Sequence, residues 1–445
     1  MKYTGINIGP IVKTLGLARK PRELWAASFL FSDLMQYIIR EVPGNVTIIS
    51  PAVCEQRSGV GLYPDRLFMK GDLSDDDAVA LIDKAWSNFN KDVFSGTGPR
   101  NYFSIMNASV EVSEDYEAIK ELNRIMNILE LNVAPVDGDT LGQITQFLKK
   151  TYGSPLFTHG LGSKTLKVDS LDEIAKVSYC GSEKKSYHNY FCVVQADGDN
   201  VGTYLTSESL KDNMPEVSKA LLAFGLKAKG AIEEFGGMPV YAGGDDLLFI
   251  APVVGADGRT TIFDLLANID DNAFADVRKY ISGASLSFGV SINYVKHPLY
   301  EALSAARTLL DDVAKNVSGK RAVAWVLQKH SGEQFKASFS RNTAGLWDEF
   351  MGVVEHTTDG NTVSAVAHKI REFAPLVERT LASESRVRLD ALFEKVFEMK
   401  NNEYFFSVKE IMPTLYEVCK GKYPETLYAI LRTAKFVKGE EPIDE

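Results

Sequence analysis

Two adjacent carboxylates lie between two apolar runs in the segment MPVYAGGDDLLFIAP, residues 238–252. They are Asp245 and Asp246, and each apolar run has the composition of a buried strand. A third carboxylate, Asp197, directly follows another apolar run, YHNYFCVVQA. Three carboxylates brought close together repel and raise one another's pKa, and divalent cations relieve that repulsion. The pattern predicts a site for two Mg²⁺ or Mn²⁺ ions, the arrangement that serves nucleotidyl transfer.

Glycines flank these carboxylates at Gly198, Gly243 and Gly244. Without a Cβ atom, the backbone at these positions can approach a triphosphate closely. A simple turn is the alternative for the Gly-Gly-Asp-Asp segment, because all four residues favour turns without any ligand. The two acidic segments each follow an apolar β run and are joined by an amphipathic helix, and this combination favours the metal site.

Two lysines, Lys315 and Lys320, lie in the segment AKNVSGKRAV, where a predicted helix returns toward the sheet. Their ammonium groups would hold triphosphate oxygens as point charges. The alternative is that they are C-terminal helix charges, which the helix dipole favours. The sequence alone leaves both interpretations open.

The elements that must position these residues follow the order β-α-β-β-α-β, with an additional helix and a closing strand, AVAWVL. In such a unit the first strand can lie beside the hairpin, which brings Asp197 to Asp245 and Asp246. The helix after the first strand is amphipathic, with one apolar face formed by Val217, Leu221, Phe224, Ala228 and Ile232.

The N-terminal third repeats this order, from the strand TGINIGPIV and the helix PRELWAASFLFSDLMQYIIREV to the strand NYFSIMNASVEV. Its acids differ, since only Asp65 lies near the equivalent hairpin. We therefore expect two related sheets, of which only the second is equipped for metal chemistry. After residue 336 the pattern predicts helices only, beginning with FKASFSRNTAGLWDEFMGVVE.

Composition limits the classes of partner. The 445 residues carry a formal charge of −10, so the chain as a whole does not attract nucleic acid. Apolar runs are too short to span a bilayer, and we expect a cytoplasmic protein with no membrane partner. No cysteine pair has C-x-x-C spacing, so we expect no zinc site. The four cysteines are predicted to be small buried hydrophobic residues in a reducing compartment: Cys54, Cys180, Cys192 and Cys419.

Five segments together resemble the Cmr-type polymerase/cyclase subunit of type III-B CRISPR-Cas effector complexes. They are ADGDNVG, GGMPVYAGGDDLLFIAP, LSFGVSI, HPLYEALSAARTLLDDVAK and LARKPRELWAASFLFSDLM. The segments GGDD and AK…GK are more distantly similar to GGDEF nucleotide cyclases. The resemblance implies an α+β protein with two tandem ferredoxin-like palm domains. Its parts would be a degenerate palm over 1–111, a small helical linker over 112–186, an active palm over 187–335 and an all-helical domain over 336–445.

The resemblance implies a nucleotidyltransferase, activated by target RNA, that converts ATP into a cyclic oligoadenylate second messenger. Guide RNA, target RNA and other type III-B subunits would be its partners. Its implied metal ligands are Asp197, Asp245 and Asp246, which with Lys315 and Lys320 form the catalytic set. Its implied nucleotide-binding residues are Gly198, Asp199, Asn200, Gly243, Gly244 and, in a second pocket across the interdomain cleft, Ser28.

Alternatives remain open at this point. The same enzyme would condense ATP with S-adenosylmethionine if its acceptor pocket differed. A stand-alone dinucleotide cyclase and a catalytically silent scaffold are two further possibilities. None of the six histidines is followed by Asp, so we expect no HD nuclease activity. The basic residues Arg19, Lys20 and Arg22 would contact RNA or a partner, or else are solvated charges at a helix start.

Overall fold

The computed structural model describes residues 1–54, 59–131, 133, 135–150, 155–161, 170–181, 183–210, 213–397, 403–419 and 422–443. Within these residues the strands form two sheets. The first contains β1 (Lys2–Gly9), β2 (Thr47–Ser50), β3 (Arg66–Lys70) and β4 (Ser104–Glu111). The second contains β5 (Tyr190–Asp199), β6 (Met238–Gly243), β7 (Asp246–Pro252), β8 (Ser285–Tyr294), β9 (Ala322–Gln328) and β10 (Gln334–Ser340).

Helices surround both sheets. The first group is α1 (Ile11–Leu15), α2 (Pro21–Arg40), α3 (Asp75–Phe94), α4 (Asp115–Glu130), α5 (Gly138–Lys149), α6 (Pro155–Leu161) and α7 (Leu171–Ala175). The second group is α8 (Val201–Leu205), α9 (Met214–Phe235), α10 (Ile262–Asn268), α11 (Ala275–Tyr280) and α12 (Leu299–Thr308). The last group is α13 (Leu346–His356), α14 (Gly360–Glu372), α15 (Ala374–Ala382), α16 (Arg386–Lys395), α17 (Glu403–Cys419) and α18 (Tyr423–Val437). In the part of the chain described here, no helix combines the length and apolar character needed to cross a membrane.

The first sheet has the strand order β2-β3-β1-β4 and is antiparallel throughout. Helices α2 and α3 cover one face, and α4 covers the other. Asn7 of β1 lies opposite Arg66 of β3. The guanidinium of Arg66 donates hydrogen bonds to three side chains of α4: Asn123 (2.5 Å), Asn127 (2.6 Å) and Glu130 (2.9 Å).

The second sheet has the order β10-β9-β8-β5-β7-β6, in which only β8 and β9 run parallel. Helix α9 packs on one face and α12 on the other. All five apolar residues predicted for one face of α9 are buried. The predicted β-α-β-β-α-β order is confirmed in both sheets, and so is the α+β fold with a helical C-terminal part.

Two local predictions are wrong. Residues 334–340 form strand β10, where a helix was expected. The alternation of buried Phe335, Ala337 and Phe339 with more exposed neighbours is the period of a strand with one covered face. At the other end of the chain, the predicted strand TGINIGPIV stops at Gly9. Because Pro10 has no N–H to donate to a ladder, the chain turns there into the short helix α1.

The two sheets are joined by direct contacts. The backbone N–H of Ala242 in β6 donates to the carbonyl of Gly61 (2.8 Å), so the loop before β3 extends the edge of the second sheet. Helix α2 packs on both β1 and β6. Of the helices between residues 112 and 186, α4 packs on the first sheet and α7 on β5 and β7. The domain boundaries given above stay predictions.

One glycine tests how tightly the second sheet is packed. A Cβ atom on Gly225 of α9 would lie 2.4 Å from the carbonyl oxygen of Ala242, which lies in β6 three residues before Asp245. We expect Gly225→Ala to lower the free energy of unfolding by about 1–3 kcal/mol through overpacking. Gly230→Ala is the matched control, since a Cβ there meets nothing within 4 Å and should stabilise the helix by about 0.5–1 kcal/mol. Chemical denaturation of both variants measures this, and equal effects would contradict the packing argument.

Candidate active site

The register of β5 and β7 brings the predicted carboxylates together. Ala196 of β5 lies opposite Leu247 of β7, so the next step of the antiparallel ladder places Asp197 beside Asp246. On the other side of β7, Gly243 pairs with Asp246, which leaves a two-residue turn at the tip of the hairpin. All three predicted carboxylates therefore lie at the same end of the sheet.

The glycines allow this close arrangement. A Cβ atom on Gly198 would lie 2.6 Å from the carboxyl oxygen Oδ2 of Asp245, so only glycine lets the hairpin approach β5 here. Gly244 has a φ of +65°, a conformation that glycine adopts without strain. A Cβ on Gly243 would lie 2.4 Å from the hydroxyl of Tyr241, which folds back along the hairpin. The structure gives all three glycines a packing or backbone reason, and phosphate contact stays a prediction.

The carboxylates perturb one another electrostatically. Removal from bulk solvent, together with the negative charge of Asp197, raises the pKa of Asp245 to about 7. The pKa of Asp246 is raised as well, by desolvation and by the charges of Asp245 and Asp197. Asp246 is exposed to solvent at the cleft, and this exposure weakens the effect of desolvation on its carboxylate.

Lys315 supplies a compensating charge. Its ammonium lies 2.6 Å from Oδ2 of Asp197 and donates to the backbone carbonyls of Asp197 and Gly198, each at 3.0 Å. It also donates to Oδ1 of Asp199 (3.1 Å). Burial by itself would lower the pKa of Lys315, but the two carboxylates outweigh it and raise the pKa. Lys315 is therefore a charged group within the acidic cluster, and its role in binding phosphate stays a prediction.

Asp199 has a different position from the other acids. Its carboxylate is fully buried and accepts hydrogen bonds from the hydroxyls of Ser285 and Ser287, the backbone N–H of Arg321 and the ammonium of Lys315. With its acceptor positions occupied by protein donors, the side chain positions Lys315 and does not face a ligand. This placement disagrees with the expectation that Asp199 is a nucleotide-binding side chain.

Lys320 and Asn200 also lie away from the carboxylates. The ammonium of Lys320 donates to the carbonyl oxygen of Lys315 (2.6 Å), so it caps its own turn. Asn200 is exposed, has a φ of +68°, and its side-chain amide donates to the carbonyl of Gly283 (3.3 Å). Roles for these two residues in phosphate or nucleotide binding remain predictions that their present contacts do not support.

A cleft of about 590 Å³ runs between the two sheets and is lined by some of the candidate residues. Its second-sheet wall includes Asp197 and Asp246, and its first-sheet wall includes Ser28 and Asp65. Ser28 is almost completely buried on α2, where its Oγ would lie 3.1 Å from a Cβ on Gly61. The structure thus brings the predicted second-pocket residue to the same cavity as the carboxylates.

Sequence reasoning missed several residues of this cleft. Tyr241 lines the cleft, and α1 contributes Leu15 and also Val12, the last residue of a segment predicted as strand. Desolvation and the nearby charges of Asp246, Asp65 and Asp245 raise the pKa of Tyr241. Tyr241 lies two residues before the Gly-Gly-Asp-Asp segment in the sequence, and this proximity could have indicated that it lies near the site.

Arg19 lies at the opening between the two halves of the chain. Its guanidinium packs over the ring of Tyr300 on α12, 4.6 Å from the ring centroid, and donates to the carbonyls of Gly16 and Ala18. Its backbone N–H donates to Glu23 (2.8 Å). The sequence left two alternatives for Arg19, RNA contact or a solvated charge at a helix start. These contacts instead give Arg19 a structural role.

The four cysteines were predicted to be buried, but their exposure to solvent differs. Cys192 is buried, whereas Cys54 and Cys419 are partly buried and Cys180 is exposed. The expectation of four buried cysteines is therefore wrong for Cys180, which lies in the loop after α7.

The donor set fits a divalent cation in its chemistry, although it is not arranged for coordination. Among the residues described, no group of three or more His, Cys, Asp or Glu side chains is placed to hold a metal ion. Asp197 forms an ion pair with Lys315 (2.6 Å) and is also hydrogen-bonded to Asp246. Desolvation first, and neighbouring carboxylates second, raise the pKa of both Asp245 and Asp246 and so disfavour their charged forms, which a hard cation would stabilise.

Two parts of the chain match models of known protein families. Residues 190–324 match the family model of the Cas10/Cmr2 second palm domain. Residues 3–95 match the model of the N-terminal part of the CRISPR-associated protein Cmr2. The two matches follow each other in the expected order and together span about half of the chain. The chain belongs to the Cas10/Cmr2 family.

A curated relative and two solved structures agree with this assignment. The relative is the CRISPR system Cmr subunit Cmr2 of Pyrococcus furiosus, 27% identical over 285 residues, which are 58% of this chain and 29% of that protein. The chain thus matches less than a third of its relative's length. Type III-B Cmr-beta bound to cognate target RNA gives a TM-score of 0.64 at 11% identity, covering 99% of this chain and 83% of the other. A Csm1–Csm4 cassette in complex with cA4 gives 0.58 at 13% identity, covering 99% and 69%. At these identities the structures show a shared Cas10/Cmr2 fold.

The carboxylate cluster predicts an unusual dependence of stability on pH. Because the pKa of Asp245 is raised from 3.8 to about 7, the folded protein binds a proton more tightly than the unfolded chain. In chelator, the contribution of this group to stability should therefore fall as the pH rises from about 4 to about 7. We expect Asp245→Asn to raise the melting temperature by a few degrees at pH 7.5 and to reduce this slope.

A control of opposite sign is available at Asp257. The backbone N–H of Arg259 donates to its carboxylate (2.9 Å) and lowers its pKa, so this group stabilises the protein at neutral pH. Asp257→Asn should lower the melting temperature at pH 7.5. Scanning calorimetry of the three proteins between pH 4 and 8 measures both effects, and a destabilised Asp245→Asn variant at pH 7.5 would count against the repulsion.

Proposed function

We propose that this chain is the nucleotide cyclase subunit of a type III-B CRISPR effector complex and joins ATP molecules into a cyclic oligoadenylate. The observation that carries the proposal is the meeting of Asp197, Asp245 and Asp246 beside Lys315, in and beside a cleft between two palm domains. A silent scaffold gains nothing from carboxylates that repel one another, so this cluster favours an enzyme.

Each residue has a distinct task in the proposed reaction. Asp197, Asp245 and Asp246 would hold one or two Mg²⁺ or Mn²⁺ ions, which when bound supply charge neutralisation and activation of the attacking hydroxyl. Lys315, already charged inside the cluster, would move from Asp197 to the triphosphate and stabilise the pyrophosphate as it leaves. Gly244, with open space around it, leaves room for phosphate oxygens beside the hairpin backbone.

The opposite wall of the cleft would bind the acceptor nucleotide. Ser28 and Asp65 come from the first palm and face the same cavity as Asp246. The cavity volume of about 590 Å³ lies within the range of small-molecule sites. S-adenosylmethionine as the acceptor is the second candidate, because either acceptor would use the same acidic cluster to release pyrophosphate.

Partners follow from the family and remain part of the proposal. The relatives are a Cmr subunit and subunits seen with target RNA or with cA4. We infer that this chain assembles with other type III-B subunits in the cytoplasm, where guide RNA and target RNA control its activity. Its formal charge of −10 fits an arrangement in which other subunits bind most of the RNA.

The proposal is tested with the purified complex, labelled ATP, Mg²⁺ or Mn²⁺ and matching target RNA, with and without S-adenosylmethionine. We expect a product that depends on target RNA and that falls at least about 100-fold in the Asp245→Asn/Asp246→Asn double variant, because the metal ligands are lost. Mass spectrometry of the product identifies the acceptor.

Asp76→Asn, an exposed substitution on α3 in the first palm, is the matched control and should leave the product unchanged. Product formed by the isolated chain without RNA would instead indicate a stand-alone cyclase. No product with any acceptor, metal or RNA would leave the scaffold as the function.

A further inference from the structure

The turn that follows Lys315 has an unusual backbone. Three consecutive residues have positive φ: Gly319 (+90°), Lys320 (+55°) and Arg321 (+50°). Glycine adopts this conformation freely, but the other two residues are strained in it. Contacts from outside the turn must therefore hold residues 319–321, which we call the left-handed turn.

One set of contacts comes from the active-site side. Asp199 accepts a hydrogen bond from the backbone N–H of Arg321 (2.9 Å) while it also accepts from the ammonium of Lys315 (3.1 Å). Lys320 donates its ammonium to the carbonyl of Lys315 (2.6 Å). The left-handed turn and Lys315 thus share Asp199 and are bonded to each other, so the position of one fixes the other.

The second set comes from residues 340–342, the segment that leads from β10 into the C-terminal helices. The Ser340 hydroxyl donates to the carbonyl of Lys320, and the Arg341 backbone N–H donates to the carbonyl of Arg321 (2.8 Å). The Asn342 side-chain amide donates to the carbonyl of Gly319 (2.8 Å). Every carbonyl of the left-handed turn therefore accepts a hydrogen bond from this one segment.

A buried ion cluster strengthens the same connection. Arg341 donates to Asp270 (2.5 Å) and to Asp271 (2.8 Å). Arg321 bonds both of these carboxylates as well, at 2.6 Å to Asp270. Arg278 also pairs with Asp270, which is completely buried. The guanidinium of Arg341 packs 4.7 Å from the ring centroid of Trp347 in α13, which links the cluster to the first of the C-terminal helices.

We propose that Arg341 and Asn342 are positioning residues that act through the left-handed turn to place the Lys315 ammonium at the acidic cluster. The C-terminal helices would in this way set the geometry of the phosphate-binding lysine, although none of them lines the cleft in the residues described. This inference rests on the proposed function, because that function is what assigns Lys315 to phosphate binding.

The alternative is that these contacts only stabilise the fold. A purely structural role would weaken nucleotide binding equally whether or not Lys315 is present, whereas positioning requires Lys315. A double-mutant cycle separates the two, because residues that act through one another give non-additive effects.

The experiment measures binding of AMPPNP with Mg²⁺ to the full chain by calorimetry. We expect Lys315→Ala to weaken binding by about tenfold, the usual effect of losing a charged hydrogen bond. Arg341→Lys keeps the charge but loses the two hydrogen bonds that the guanidinium makes to Asp270 and Asp271, and it should weaken AMPPNP binding by about threefold. Asn342→Ala should weaken AMPPNP binding by a similar factor. In the Lys315→Ala background, neither substitution should weaken binding further. A threefold loss that persists there would overturn the proposal.

Arg386→Lys is the matched control, since Arg386 pairs with Glu410 in the C-terminal helices and has no contact with the turn. It should leave binding unchanged in either background. Hydrogen exchange of residues 314–321 gives a readout without ligand, and we expect faster exchange in Asn342→Ala than in Arg386→Lys.

The outcomes separate this inference from the proposed function. Normal AMPPNP binding without any product removes the cyclase but leaves the positioning role. If the chain binds no AMPPNP at all, hydrogen exchange of residues 314–321 tests the positioning role. Unchanged protection of these residues in Asn342→Ala would then overturn it.

Discussion

The pairing of β5 with β7 is the constraint on which the candidate site depends. Side chains alternate between the two faces of a sheet, so a shift of one residue would turn Asp197 away from Asp246. The register is fixed by the apolar residues behind it, because Val193 and Leu248 face one covered side while Val194 and Phe249 face the other. Burial on both faces therefore holds in place charges that repel one another.

The sequence is sufficient to predict those features that depend on local pattern. The alternation of apolar runs and the face of α9 predict the order of elements in both sheets, and that order predicts which carboxylates meet. The strand β10 escapes the prediction because FKASFS was assigned together with the helix that follows it, although its own alternation has a period of two. Here the error lies in the boundary between elements and not in the physical rule.

Other features arise only from tertiary contacts. Nothing local distinguishes Asp199 from Asp197, two residues apart on the same face of one strand. Yet Asp199 is enclosed by Ser285 and Ser287 of β8, whereas Asp197 reaches the cleft. Two partners of Asp270, Arg321 and Arg341, are likewise distant from it in the chain. Such groupings require the folded structure, because their members come from separate elements.

The first palm shows what the equivalent position becomes without the acidic pair. Asn7 and Arg66 lie opposite each other, as Asp197 and Asp246 do in the second palm. The guanidinium of Arg66 brings its own positive charge to that position and is bonded to three side chains of α4. The first palm thus has a fixed positive charge at this position, whereas the second palm has carboxylates there. The two palms, built on one plan, therefore present opposite charges at corresponding ends of their sheets.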